Sequence, residues 1–151
     1  MSHITAAHHT SFTVAKLERS VEFFRDMLGL EVSAPREINQ RYFDCIVGLS
    51  DTLVRAAFIK LPGGHQVELF EYVQPRGQSY TPRPCDPGSC HLALLVDDLQ
   101  ALHANLAPRG VHFVSPPVLI DAGPNRGAYA AYVRDPNGIL LELFQPPREH
   151  A

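Results

Sequence analysis

The chain has 151 residues, 45% of them apolar and 19% charged, which suits one folded domain with a substantial core and would leave two domains small. Its formal net charge is -3, and lysine occurs only at Lys16 and Lys60, so no basic stripe is offered to nucleic acid. No apolar run approaches the roughly 20 residues that would cross a bilayer. Cys45, Cys85 and Cys90 are odd in number and the start, Met1 to Thr5, carries neither a basic nor an apolar signal segment. Both point to a reducing cytoplasm, while the absence of a basic stripe makes small-molecule work the default.

In chain order, His9 to Val14 reads as a strand. Leu17, Val21, Phe24 and Leu28 then fall at helical spacing up to a terminator at Gly29. Leu30 to Ser33 is a short strand, and Asn39 is placed to cap a brief helix over Arg41 to Val47. Leu53 to Leu61 and Gln66 to Tyr72 form a hairpin through Pro62, Gly63 and Gly64. Gln74 to Ser89, with Pro75, Pro82, Pro84 and Pro87, is an irregular connector. The order then restarts: a strand over His91 to Val96, a cap at Asp97 or Asp98, and a helical stripe of Leu99, Leu102, His103 and Leu106 that Pro108 and Gly110 end. Val111 to Val114, a Pro-broken stretch to Ile120, a loop over Gly123 to Gly127 and two strands around Pro136 to Gly138 complete it.

The two halves superpose by offsets. Val14 and Leu17 lie five and eight residues beyond His9, as Val96 and Leu99 do beyond His91. Each half closes with a proline, a glycine turn and Glu-Leu-Phe, at Glu68 and again at Glu142. The reading is a duplicated β-α-β-β-β unit, with module one over about 7–73, the connector over about 74–89 and module two over about 90–146, because each unit alone leaves one sheet face bare.

A carboxylate in an apolar strand needs a partner, since an unpaired buried charge costs several kcal/mol. The repeat places a His at the start of each half and a Glu on its last strand. His9, Glu68, His91 and Glu142 are therefore the candidate ligands of one divalent ion, a mixed N/O set that leaves positions open for water or substrate. His8 competes with His9, but only His9 matches the offsets of His91, and His8 points to the other strand face. His3 and His150 fall in tails, His65 in the hairpin, and His103 and His112 on or after a helix. Cys85 and Cys90 flank His91 at a spacing that fits no zinc knuckle. The Gly123 to Gly127 loop falls short of a dinucleotide fingerprint. Its Arg126 is either an exposed loop residue or a contact to an anionic substrate group.

These residues resemble the vicinal oxygen chelate superfamily: His9 to Val14 with Leu17 to Leu30, and Arg134 to Phe144. That superfamily includes glyoxalase I, methylmalonyl-CoA epimerase, extradiol dioxygenases, fosfomycin-resistance transferases and bleomycin-binding proteins. The resemblance implies an α+β fold of paired βαβββ modules in a curled, metal-cupping sheet, a single domain over 1–151, and a homodimer. It implies a divalent metal (Zn, Ni, Co, Mn or Fe), with Glu142 and Glu68 as the bases that move a proton next to a metal-bound carbonyl. The His, Glu, His, Glu order is similar to bacterial-type glyoxalase I and methylmalonyl-CoA epimerase. Where glyoxalase I has an Arg and an Asn for glutathione, this chain has Thr13 and Tyr72, which favours an epimerase or isomerase. The alternatives are a glyoxalase I-like lactoylglutathione lyase, an Fe(II) extradiol-type dioxygenase using His9, His91 and Glu142, and, last, a non-catalytic binder of a drug or metabolite.

Overall fold

Among the described residues ten strands and three α-helices follow one another, and apart from the second helix their order repeats once along the chain. The structure, a computed structural model, describes residues 3–148; the Met1–Ser2 start and His150 lie outside them. It divides into two units, Met1–Ser79 and Tyr80–Ala151, with the boundary inside the proline-rich connector. No helix among the described residues is long and apolar enough to cross a membrane.

In the first unit β1 (His9–Thr13) leads into α1 (Leu17–Glu22), which continues as a π-helical turn over Phe23–Met27. The backbone leaves this helix through Gly29 at φ 68°, a left-handed conformation that costs glycine nothing. The strands β2 (Glu31–Val32), β3 (Arg36–Ile38), β4 (Leu53–Lys60) and β5 (Gln66–Gln74) form a sheet of order β1-β5-β4-β2, with β3 also on β4. β1 runs parallel to β5 and the β4–β5 hairpin is antiparallel. Val67, Leu69 and Glu71 on β5 are buried, as are Leu17, Ser20, Val21 and Phe24 of the helix. Alternation turns Glu68, Phe70 and Tyr72 to the other side.

That second face is covered in part by α2 (Arg41–Val47), whose Phe43 joins Ile38, Val54 and Ala56 in a buried cluster against Phe58, Phe70 and Tyr72. The helix was legible, but its cap was not. Gln40 occupies the cap position with no side-chain hydrogen bond, and Asn39 instead accepts one from the Gln40 amide. The strand β3 was not anticipated either, because three residues over Arg36–Ile38 are too few to show an alternation.

The second unit repeats this plan. β6 (Leu92–Leu95), α3 (Leu99–Leu106), β7 (His112–Phe113), β8 (Val118–Leu119), β9 (Tyr129–Arg134) and β10 (Leu140–Gln145) give the order β6-β10-β9-β7, with β8 also on β9. Asp98 is the cap, accepting from Ala101 N–H at 2.9 Å. Leu141, Leu143, Ala131 and Val133 are buried with Leu99 and Leu106 of α3, each large aliphatic side chain contributing about 2 kcal/mol by leaving water. The identical strand order and pairing directions make each unit one βαβββ module.

Candidate functional site

Each module sets one His opposite one Glu. In the first, Ser11 lies in register with Glu68, and His9, two residues earlier on the same strand face, points the same way. His9 Nε2 stands 3.5 Å from Glu68 Oε2. In the second, Ala93 lies in register with Glu142, and His91 Nε2 stands 3.1 Å from Glu142 Oε2. His91 immediately precedes β6, where the sequence reading had it begin the strand. The carboxylates are mostly covered, with side chains 15% and 21% accessible, while both imidazoles stay open at 39% and 41%.

The separations suit two donors on one ion. Metal bonds of about 2.1 Å put neighbouring ligand atoms about 3.0 Å apart in an octahedron and about 3.4 Å apart in a tetrahedron. Both His/Glu pairs fall at those spacings. Among the described residues neither module by itself gathers three or more His, Cys, Asp or Glu side chains that could hold a metal. Each module holds one His and one Glu of the four residues named as candidate ligands.

The surroundings of the two pairs differ. Glu142 lies in register with Tyr132, whose ring stands edge-on to His91 at 5.1 Å between centroids. Burial, and next to it the Glu142 charge, pushes the Tyr132 hydroxyl above its ordinary pKa, so it remains a proton donor at neutral pH. Phe58 takes the corresponding place beside Glu68. The wall continues there as Phe70 and Tyr72 against Phe43, at 5.9 and 6.4 Å between rings, and burial raises the Tyr72 pKa. Tyr132 and Phe58 escaped the sequence reading, although counting back across each hairpin from the glutamate would have found them.

The remaining histidines keep local company. His8 Nδ1 meets His9 Nδ1 at 2.7 Å, and His65 Nε2 meets Thr10 Oγ1 at 3.0 Å. His103 packs edge-on to Phe113. All three cysteines are free and exposed.

The surface carries a depression in each module. One of about 590 Å³ is lined by Asn39, Arg41, Asp44 and Cys45 of the first module. Asp44 there accepts from both the N–H and the hydroxyl of Thr52, which holds its carboxyl below the usual range. The other, of about 830 Å³, is lined by Arg126, Tyr129, Gln145 and Arg148 of the second module.

Two βαβββ modules of identical strand order define the class of fold. Residues 6–143 match the model of the Glyoxalase/Bleomycin resistance protein/Dioxygenase superfamily, and the chain belongs to that superfamily. It is 35% identical over 149 residues to a 2-epi-5-epi-valiolone epimerase of Actinomyces, covering 94% of this chain and 80% of that one. It is 27% identical over 146 residues to a probable lactoylglutathione lyase of Vibrio cholerae, covering 95% and 92%. Among solved structures, a glyoxalase family protein from Bacillus cereus superposes with a TM-score of 0.82 at 21% identity, covering 97% of both chains.

Proposed function

We propose that this chain is a divalent-metal-dependent epimerase that moves a proton on the carbon next to a substrate carbonyl, with His9, Glu68, His91 and Glu142 as the metal ligands. The carrying observation is the His/Glu pair at equivalent registers in both modules, with Nε2 to Oε2 spacings of 3.5 and 3.1 Å that suit neighbouring positions on one ion. The modules that supply the two pairs belong to one chain or to two copies of a homodimer. Similarity to a relative named as an epimerase supports the reaction type.

A divalent ion held there (Zn, Ni, Co, Mn or Fe) supplies Lewis-acid polarisation of the carbonyl, worth several kcal/mol of barrier. The chain's own residues do the rest. One carboxylate, Glu142 or Glu68, takes the proton from the α-carbon, and the electron pair of the broken C–H bond moves toward the carbonyl oxygen. The other glutamate, present as its carboxylic acid, gives its proton to the opposite face of the carbon and becomes the carboxylate, which inverts the centre and exchanges the protonation of the two side chains. Tyr132 keeps the His91 ring in place and holds a hydroxyl proton beside Glu142. Phe58, in register with Glu68 and packed with Phe43 and Phe70, gives that carboxylate an apolar neighbour.

A second reading, a glyoxalase I-like lyase, rests on the similarity to a probable lactoylglutathione lyase. Thr13 and Tyr72 stand where the resemblance calls for the glutathione-binding Arg and Asn. Tyr72 is packed into the aromatic wall, which favours the epimerase.

Elemental analysis of the purified protein, followed by assays with 2-epi-5-epi-valiolone, acyl-CoA esters and hemithioacetals in deuterated water, separates these readings. The proposal requires bound divalent metal and deuterium entering at an epimerised α-carbon. Glu142→Gln should fold and lose turnover, and a fully active variant would refute the assignment. Oxygen uptake with catechols would move the chain to the dioxygenase class.

A further inference from the structure

Leu17 and Leu99 open the first helix of each module, and the residues around them correspond one to one. Lys16, Glu18, Arg55 and Glu71 of the first module answer to Asp98, Gln100, Tyr129 and Gln145 of the second, since Arg55 pairs in register with Glu71 as Tyr129 does with Gln145. In the first module these four places are closed by ion pairs: Arg55 to Glu18, Arg55 to Glu71 at 3.4 Å, and Lys16 to Glu71 at 3.8 Å. Two cations meet two carboxylates there. In the second module the same four positions line the cavity of about 830 Å³, together with Arg126, Gly127, Pro147 and Arg148.

The charges of that cavity do not balance. Arg148 stands 3.7 Å from Asp98, whose carboxylate also caps α3, and Arg126 has no side-chain partner among the described residues. Among the described residues that line it, two guanidiniums thus face one carboxylate. The hydrogen-bonding groups are also one-sided. Gln145 is 5% accessible, and its carbonyl oxygen accepts from Leu99 N–H at 2.7 Å, which fixes which way the amide points. Its NH₂ has no acceptor among the described residues, yet no side-chain nitrogen or oxygen among them is sealed without a partner, so the NH₂ opens on the cavity. Tyr129 lines the same space.

We infer that this cavity binds the carboxylate of a small organic acid, which accepts from Gln145 Nε2 and Arg126 and supplies the anion that Glu71 and Glu18 provide in the first module. The ring of Tyr129 and the ring of Pro147 give an apolar wall for the acid's body. The site lies apart from the His91/Glu142 pair, because Gln145 and Tyr129 face α3 whereas Glu142 and Tyr132 alternate to the other side of the sheet. It needs no metal and does not depend on the proposed epimerase reading.

The test is a titration of the ¹⁵N-labelled full chain with benzoate and, separately, with inorganic phosphate, read at the amides of Gln100, Gly127 and Tyr129 and at the Gln145 side-chain NH₂. Saturable benzoate shifts confined to these groups, weakened at least about tenfold in Arg126→Gln by loss of a charge-assisted contact and retained in Glu142→Gln, support the site. Tyr129→Phe gives a second, conservative check: it keeps the ring that walls the site, so fold and benzoate binding should both be retained, and loss of binding there would overturn the wall role given to that ring. Phosphate saturating these groups where benzoate does not would overturn the carboxylate assignment. Absence of saturation with both probes, shifts centred on Glu142 instead, or unchanged affinity in Arg126→Gln would overturn the site itself.

Discussion

Glu71 and Gln145 do the same work in the two modules: each is buried on the last strand and accepts the first N–H of its module's first helix, from Leu17 at 3.0 Å and from Leu99 at 2.7 Å. Both stand three residues beyond the site glutamate, so the residue that anchors the helix also fixes the strand on which Glu68 or Glu142 is carried. The difference in charge follows from the neighbours. Glu71 has Arg55 and Lys16 beside it, whereas Gln145 faces Tyr129 and the Asp98 carboxylate.

This yields an ordered set of stabilities. Glu71→Gln keeps an acceptor for Leu17 N–H and gives up only the ion pairs, while Glu71→Leu leaves a buried helix N–H unsatisfied, a penalty of about 1–3 kcal/mol. Gln145→Leu strands the Leu99 N–H in the same way. Urea unfolding should rank wild type above Glu71→Gln, and Glu71→Gln above both Glu71→Leu and Gln145→Leu. Equal midpoints for all four proteins would remove the anchoring role.

Acid should weaken the first module. The Arg55 hydrogen bond lowers the Glu18 pKa and the Thr52 hydrogen bonds lower that of Asp44. A carboxyl depressed in the folded state binds fewer protons there than in the unfolded chain, so its contribution is complete above the ordinary carboxylate pKa and is lost as pH falls through the folded value. Thermal midpoints should therefore drop below the usual carboxylate range. Glu18→Gln and Asp44→Asn should each flatten that slope while lowering stability at neutral pH, and an unchanged slope in both would contradict the assignment.

Much of this molecule was legible in its sequence. The duplicated offsets from His9 and His91 gave the module order, because strand alternation and helix spacing survive in both copies. The glycine turns bounded the hairpins. What could not be read depended on contacts between strands. Glu71 and Gln145 look like the polar tail of a strand until the register turns them onto a helix end, and Tyr132 becomes a neighbour of Glu142 only once the hairpin pairing is known. The Asn39 cap failed because the chain turned into α2 one residue later, at Gln40.

The turn that delivers Glu142 is held by side chains at its start. Asp135 is buried and its Oδ1 accepts from the N–H groups of Asn137 and Ile139, both at 2.8 Å, while Arg134 donates to the carbonyls of Gly138 and Pro82. Gly138 sits at φ 91°, where a Cβ would come 3.5 Å from Thr81 Oγ1. Asp135→Ala should cost about 1–3 kcal/mol by stranding two N–H donors, and Gly138→Ala about 1 kcal/mol or more from the backbone conformation. Differential scanning calorimetry measures both, and neutral behaviour of Asp135→Ala would show that the turn holds without it.

Metal retention should separate the ligands from the residue that positions them. His91→Ala removes one donor and leaves Glu142 without its 3.1 Å partner, so the proposed site should lose affinity by well over tenfold, with much of the bound metal gone after dialysis. Tyr132→Phe keeps the ring that stands edge-on to His91 and deletes only the hydroxyl, so metal content should stay at the wild-type level. Turnover should nevertheless fall, because the proton held beside Glu142 is gone, and the pH profile should change on the alkaline side, where the raised Tyr132 pKa places its titration. Metal content by plasma emission spectrometry and a pH–rate profile on the same preparations read both effects. Loss of metal in Tyr132→Phe, or full retention in His91→Ala, would reverse the roles given to these two side chains.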